Sequence, residues 1–148
     1  MDLVQQLTTL VRQQLAWQFD TYTSLETKAI GLLAFDGALG AFVAVLHPMP
    51  EFLRVPFFVA LVVSVGACVG SLWIRKVYTG PNVRAFYQWT ADFDENEAGL
   101  VLLTTLENNY RQNQTALAKK GLYWTIAAVA LVACVIVMGV DLTALTGR

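Results

Sequence analysis

Charge is scarce in this chain, and its distribution carries more information than its amount. Only 14% of the 148 residues are charged, against 56% apolar. Three stretches, 29–46, 55–74 and 122–140, contain no Lys, Arg or His, and their only carboxylate is Asp36 in the first. Runs of 18, 20 and 19 residues reach roughly 27–30 Å as helices, about the thickness of a bilayer's hydrocarbon core. The sequence therefore predicts an all-α membrane protein with three transmembrane helices.

Other absences narrow the function. The single histidine, His47, and the two cysteines, Cys68 and Cys134, make no His/Cys/Asp cluster of metal-binding spacing, so no metal is expected. The spans offer a hydroxyl such as Ser64 but no histidine to activate it. No glycine-rich phosphate loop occurs either, so neither enzymatic activity nor a cofactor is expected. The two cysteines differ in expected depth by roughly 9 Å, too far for a disulfide. The first apolar run lacks a short basic leader and an A-x-A site, which argues against a cleaved signal peptide.

The basic residues that are present set an orientation. Arg12 and Lys28 precede the first span, and Arg75, Lys76, Arg84, Arg111, Lys119 and Lys120 lie between the second and third. Only Arg54 and Arg148 fall on the other side. The positive-inside rule then puts residues 1–28 and 75–121 in the cytoplasm, and the turn 47–54 and the tail 141–148 outside. The prolines of "HPMPEFLRVP" predict a tight, non-helical outer turn.

Residues 2–28 contain no Gly or Pro, and Val4, Val11, Leu15, Phe19, Tyr22 and Leu25 fall near one stripe. This predicts an amphipathic helix that runs straight into the first span. The segment 75–121 opens with the turn signal Thr-Gly-Pro-Asn and then becomes aromatic. From about residue 93 it reads as a second amphipathic helix, with acids at its start and Leu100, Leu103, Leu106, Tyr110 and Leu117 on one face. Gly121 is a candidate weak joint before the third span. Three spans alone make a thin bundle, so a homo-oligomer is expected. Gly66 and Gly70 form a G-x-x-x-G, and Ala34, Gly37, Ala38, Gly40, Ala41 and Ala44 make small-residue pairs suited to close helix contact.

Asp36 sits about 12 Å into the bilayer, where a charge costs on the order of 3 kcal/mol on insertion scales. With no basic residue in any span, three arrangements remain. It bonds as a neutral acid to Ser64, at compatible depth, or to a backbone carbonyl. It faces water in a ring of carboxylates within an oligomer. Or it carries a proton in a transport cycle. Gly40, one turn on, orients it toward a close-packed face. Asp36, Gly37 and Gly40 are thus candidate pore or gate residues, and Ser64, Gly66 and Gly70 candidate packing residues.

In the cytoplasmic segment Arg75, Lys76, Arg84 and Arg111, with Tyr87 and Trp89, form a candidate site for an anionic, stacking ligand. Eight cytoplasmic acids balance the eight bases, so no broad basic surface announces nucleic acid. Arg75, Lys76, Lys119 and Lys120 equally suit headgroup anchoring, and Tyr87 and Trp89 an interfacial belt.

The long helix leading into "ETKAIGLLAFDGALGAF", the G-x-x-x-G span and "LVLLTTLENNYRQNQTALAKKGLYW" before the last span together resemble the small membrane effectors of bacterial anti-phage defence. These are the Pycsar transmembrane effectors, the SLATT-type proteins and the Hailong membrane effector. The resemblance covers most of the chain. It implies an oligomeric ion channel or pore of the bacterial inner membrane, gated by a nucleotide or short oligonucleotide made by a partner enzyme. A proton-coupled small transporter and a non-conducting membrane scaffold are the other readings.

Overall fold

The computed structural model describes residues 3–45, 49–74, 78, 86, 88, 90 and 92–146. Among these the chain is all-helical, built on α1 (Leu3–Val45), α2 (Glu51–Trp73) and α3 (Glu95–Thr146). Each contains a stretch long and apolar enough to cross a membrane.

α1 is one uninterrupted helix because nothing in its polar half breaks it. Thr9, Thr21 and Thr23 each turn their hydroxyl back onto the carbonyl four residues earlier, at 2.8, 2.9 and 3.0 Å, so no side chain competes for the ladder's amides. α3 starts on a reciprocal cap. The Glu97 amide donates to Asp94 Oδ1 at 2.7 Å, and the Asp94 amide donates to Glu97 Oε2 at 3.4 Å. These bonds satisfy amides that the first turn cannot pair within the helix.

Three boundaries differ from the sequence-based expectation. α2 begins at Glu51 and carries Pro56 inside it, so much of the expected outer turn is helix. The Leu53 and Arg54 amides both donate to the Pro50 carbonyl, at 3.0 and 2.9 Å, and this starts the helix upstream of Pro56. A proline this close to a helix start removes a single ladder bond, and the apolar residues that follow hold the helix on course. Gly121 is no joint, since α3 passes through it unbroken. A glycine in mid-helix costs only about 1 kcal/mol relative to alanine, which the residues on either side of it easily carry. The expected tail at 141–148 is helical through Thr146, and it includes a buried acid, Asp141. His47 lies outside the described residues.

The chain divides into two compact units, Met1–Thr23 with Arg75–Ala118, and Ser24–Ile74 with Lys119–Arg148. The first buries Leu15, Tyr22 and Leu106 beside two amides, Gln18 and Asn113. Asn113 acts as a strand would toward Tyr78: its Oδ1 accepts from the Tyr78 amide at 2.8 Å, and its Nδ2 donates to the Tyr78 carbonyl at 2.7 Å. Gln18 Nε2 donates to the Tyr110 carbonyl at 3.2 Å. The second unit packs the apolar parts of all three helices. One cluster holds Leu39, Val43, Met49, Phe57, Leu61 and Cys134, and another holds Ala67, Cys68 and Ala127. Its large apolar side chains, such as Phe35, Phe42, Val62, Trp73, Val129 and Ile136, point outward.

Replacing Asp94 by Ala should weaken the start of α3 by about 1 kcal/mol. Hydrogen exchange read at the amides of residues 97 and 98 should accelerate about fivefold, with little change beyond the first two turns.

Candidate functional site

Burial repeats every seven residues on all three helices. The recurring buried positions are Leu15, Tyr22, Ala29, Asp36 and Val43 on α1, and Phe57, Ser64 and Ser71 on α2. On α3 they are Leu106, Asn113, Lys120, Ala127, Cys134 and Asp141. A strict seven-residue repeat is the seam along which helices supercoil. In the membrane unit half of that seam is polar. Asp36, Ser64, Ser71, Lys120 and Asp141 are each 2% exposed or less, while the faces turned outward are apolar.

Three helices meet at one hydroxyl. Ser64 Oγ of α2 lies 2.7 Å from Asp36 Oδ2 of α1 and 3.1 Å from the Ala127 carbonyl oxygen of α3. Asp36 is 1% exposed and its second oxygen, Oδ1, has no hydrogen-bond partner among the described residues. One turn of α2 away, Cys68 is fully buried, and Ser71 beyond it leaves its Oγ enclosed and unbonded. Cys134, two turns along α3 from Ala127, donates its thiol to the Phe57 carbonyl at 3.6 Å.

About 10 Å along α3 from Ala127, Lys120 Nζ donates to Glu26 Oε1 at 2.9 Å. The lysine side chain is fully enclosed, while 35% of the Glu26 side chain remains exposed. Burial pulls the Lys120 ammonium below the ordinary lysine range, and the bond and charge of Glu26 work against that pull. Lys28, two residues on in α1, holds its ammonium 5.8 Å from the centre of the Trp124 ring.

The residues singled out from sequence separate into distinct groups. Asp36 and Ser64 come together inside the bundle, so Asp36 faces its own chain's helices and not an outer surface. Gly40 marks a close approach of α1 to α2, because a Cβ there would lie 2.9 Å from Leu61 Cδ2. Gly70 lies under the Tyr123 ring, 3.2 Å from where its Cβ would be. Gly37 and Gly66 face open space. Arg111 is exposed and paired with Glu107 at 2.7 Å, one turn away. Arg75, Lys76, Arg84, Tyr87 and Trp89 lie outside the described residues. Among the described residues no three His, Cys, Asp or Glu side chains converge as a metal site requires.

Sequence reasoning missed Lys120 as a core residue, along with Ser71, Asn113 and Asp141. The signal was the seven-residue spacing 106–113–120–127–134–141, which a search restricted to apolar residues passes over. Compared with family models, curated proteins and solved structures, the chain matches none.

Removing one partner of an enclosed ion pair strands the other charge. Glu26→Ala, which strands the fully buried Lys120 but removes a partly exposed acid, should therefore lower stability in detergent by about 3 kcal/mol, the low end for such a loss. The double variant Glu26→Ala/Lys120→Met should recover most of that loss in a thermal unfolding series.

Proposed function

We propose that this chain is the subunit of a homo-oligomeric, signal-gated ion channel of the bacterial inner membrane, with Asp36 as part of its gate. One observation carries the reading: a carboxyl group enclosed within apolar spans, tied by one serine to all three helices, with one oxygen left unpaired. A passive anchor gains nothing from such a group, because leucine in its place would insert at lower cost. A gate does gain from it. The contact holds the helices together while dry, and the same carboxyl welcomes water and cations once they part.

Support for self-association comes from the outer faces. Less than a third of each apolar span is buried inside the chain. Gly66, with open space above it, offers a close-contact point for a neighbouring copy. The reading keeps the N-terminus and residues 75–121 cytoplasmic, in line with the charge distribution. Its signal is a nucleotide or short oligonucleotide, recognised by the basic and aromatic cytoplasmic segment. The resemblance to anti-phage membrane effectors supplies the role, which is to depolarise an infected cell.

A second reading draws on the same seam. Polar residues at heptad positions fix register and partner number in helical assemblies, and a non-conducting scaffold would use Asp36 and Ser64 as an internal pin. Ion flux from liposomes separates the two. A buried hydrogen bond between neutral groups contributes about 0.5–1.5 kcal/mol, so Asp36→Ala or Ser64→Ala should raise resting flux by about two- to tenfold. If both variants reconstitute intact and remain as tight as wild type, the channel reading fails and the scaffold stands.

A further inference from the structure

Ser64 presents a problem of hydrogen inventory. Its hydroxyl has one hydrogen, yet two oxygens lie within bonding distance, Asp36 Oδ2 at 2.7 Å and the Ala127 carbonyl at 3.1 Å. If Asp36 were ionised, one of these contacts would have no hydrogen in it. The carboxylate would also keep a full charge with Oδ1 bare, in a site that is 1% exposed. Enclosed charges persist only when paired and hydrogen-bonded.

Among the described residues nothing around the group supplies a positive charge. The three spans contain no Lys, Arg or His. α2 buries the Cys68 thiol one turn from Ser64 and α3 the Cys134 thiol two turns from Ala127, and neither is cationic. The Lys120 ammonium bonds to Glu26, about 10 Å along α3 from Ala127. Asp141 stands at the far end of the seam, fourteen residues past Ala127, and is itself an acid.

We infer that Asp36, Ser64 and the Ala127 carbonyl form a proton-binding site, occupied at rest, whose proton ties the three helices together. The Asp36 Oδ2–H donates to Ser64 Oγ, and the Ser64 Oγ–H donates to the Ala127 oxygen. Each hydrogen then has one acceptor and each contact one hydrogen. Oδ1 becomes the carbonyl oxygen of a neutral acid, a far cheaper group to leave bare than half of a carboxylate. Release of the proton to entering water leaves an anion that only water or a cation can serve, so the dry, closed arrangement is the protonated one. The inference deepens the gate reading by naming the gate's ligand, and it rests on that reading only for its consequence, not for its test.

Infrared difference spectroscopy of the full chain in liposomes at neutral pH, wild type against Asp36→Asn, reads the site directly. The expected result is a carboxylic acid C=O band that vanishes in Asp36→Asn, shifts in Ser64→Ala and is indifferent to sodium. Carboxylate bands alone would overturn the inference. So would an acid band that disappears on adding sodium, since an alkali cation would then hold the site. Thermal unfolding gives a second arm. The side-chain amide introduced by Asp36→Asn can repeat the donation to Ser64, so this variant should unfold with the wild type, while Asp36→Ala and Ser64→Ala unfold earlier. Asp36→Asn unfolding as early as Asp36→Ala would overturn the inference. Neither arm depends on flux, so an acid band in a protein that conducts nothing would retain the proton site and remove the channel.

Discussion

Lipid solvates neither a charge nor an unpaired hydrogen-bonding group, and in this chain that constraint converges on the hydroxyl of Ser64. The spans carry a carboxyl group with no base to neutralise it, so it must be served from inside the bundle. Ser64 does so, and by also reaching the Ala127 carbonyl it ties α1 and α3 to α2 at one point. Everything else in the membrane unit is compatible with that meeting. Gly40 lets α1 approach Leu61, and Gly70 accepts the Tyr123 ring, so the helices close to the distance that the bonds require. Ala127 and Cys68, small and buried, leave room beside the serine.

The result is a bundle with its polarity reversed from that of a soluble protein. Most of its aromatic and β-branched side chains face out, Phe57 and Val43 being buried exceptions. Serines, thiols and acids face in, together with one enclosed lysine. At one end of this seam Glu26 and Lys120 compensate each other, with Glu26 partly in water. The membrane's middle has no such ion pair, and there the demand falls on hydrogen bonds. A neutral acid meets that demand with the groups present, whereas an anion would need water or a cation beside it. In the channel we propose, the same property serves as the gate, because dry and wet arrangements of Asp36 differ in charge as well as in shape.

The three membrane helices were legible in the sequence because a bilayer imposes a length and excludes charge, and both leave marks that need no structure to read. Helix ends were not. Proline and glycine read as punctuation, but Pro56 lies inside α2 and Gly121 inside α3, held there by the apolar and helix-forming residues on either side. Sequence places the start of the tail at Asp141 because the apolar run ends at Val140, yet the helix continues and buries that acid. At the site, Asp36 and Ser64 could be paired by depth, yet the sequence left a structural bond, a water-facing ring and a transport role all open. What decides between them is rotation about the helix axis. Gly37 and Gly66 look from sequence like their partners Gly40 and Gly70, yet they face away from the bundle. The seven-residue seam encodes that rotation, but its polar members hid it from a search for apolar periodicity.

The central claim is that the seam holding Asp36 is closed to water at rest, and two natural reporters line it. Cys68 and Cys134 are free thiols, both fully buried within the bundle. Labelling the wild-type protein in liposomes with a water-soluble, membrane-impermeant maleimide, followed by mass spectrometry of each cysteine, measures that closure with no substitution at all. The account predicts that both thiols stay unlabelled in the resting protein until it is unfolded. Prompt labelling of either thiol in the resting protein would mean a water-filled interior and would contradict it.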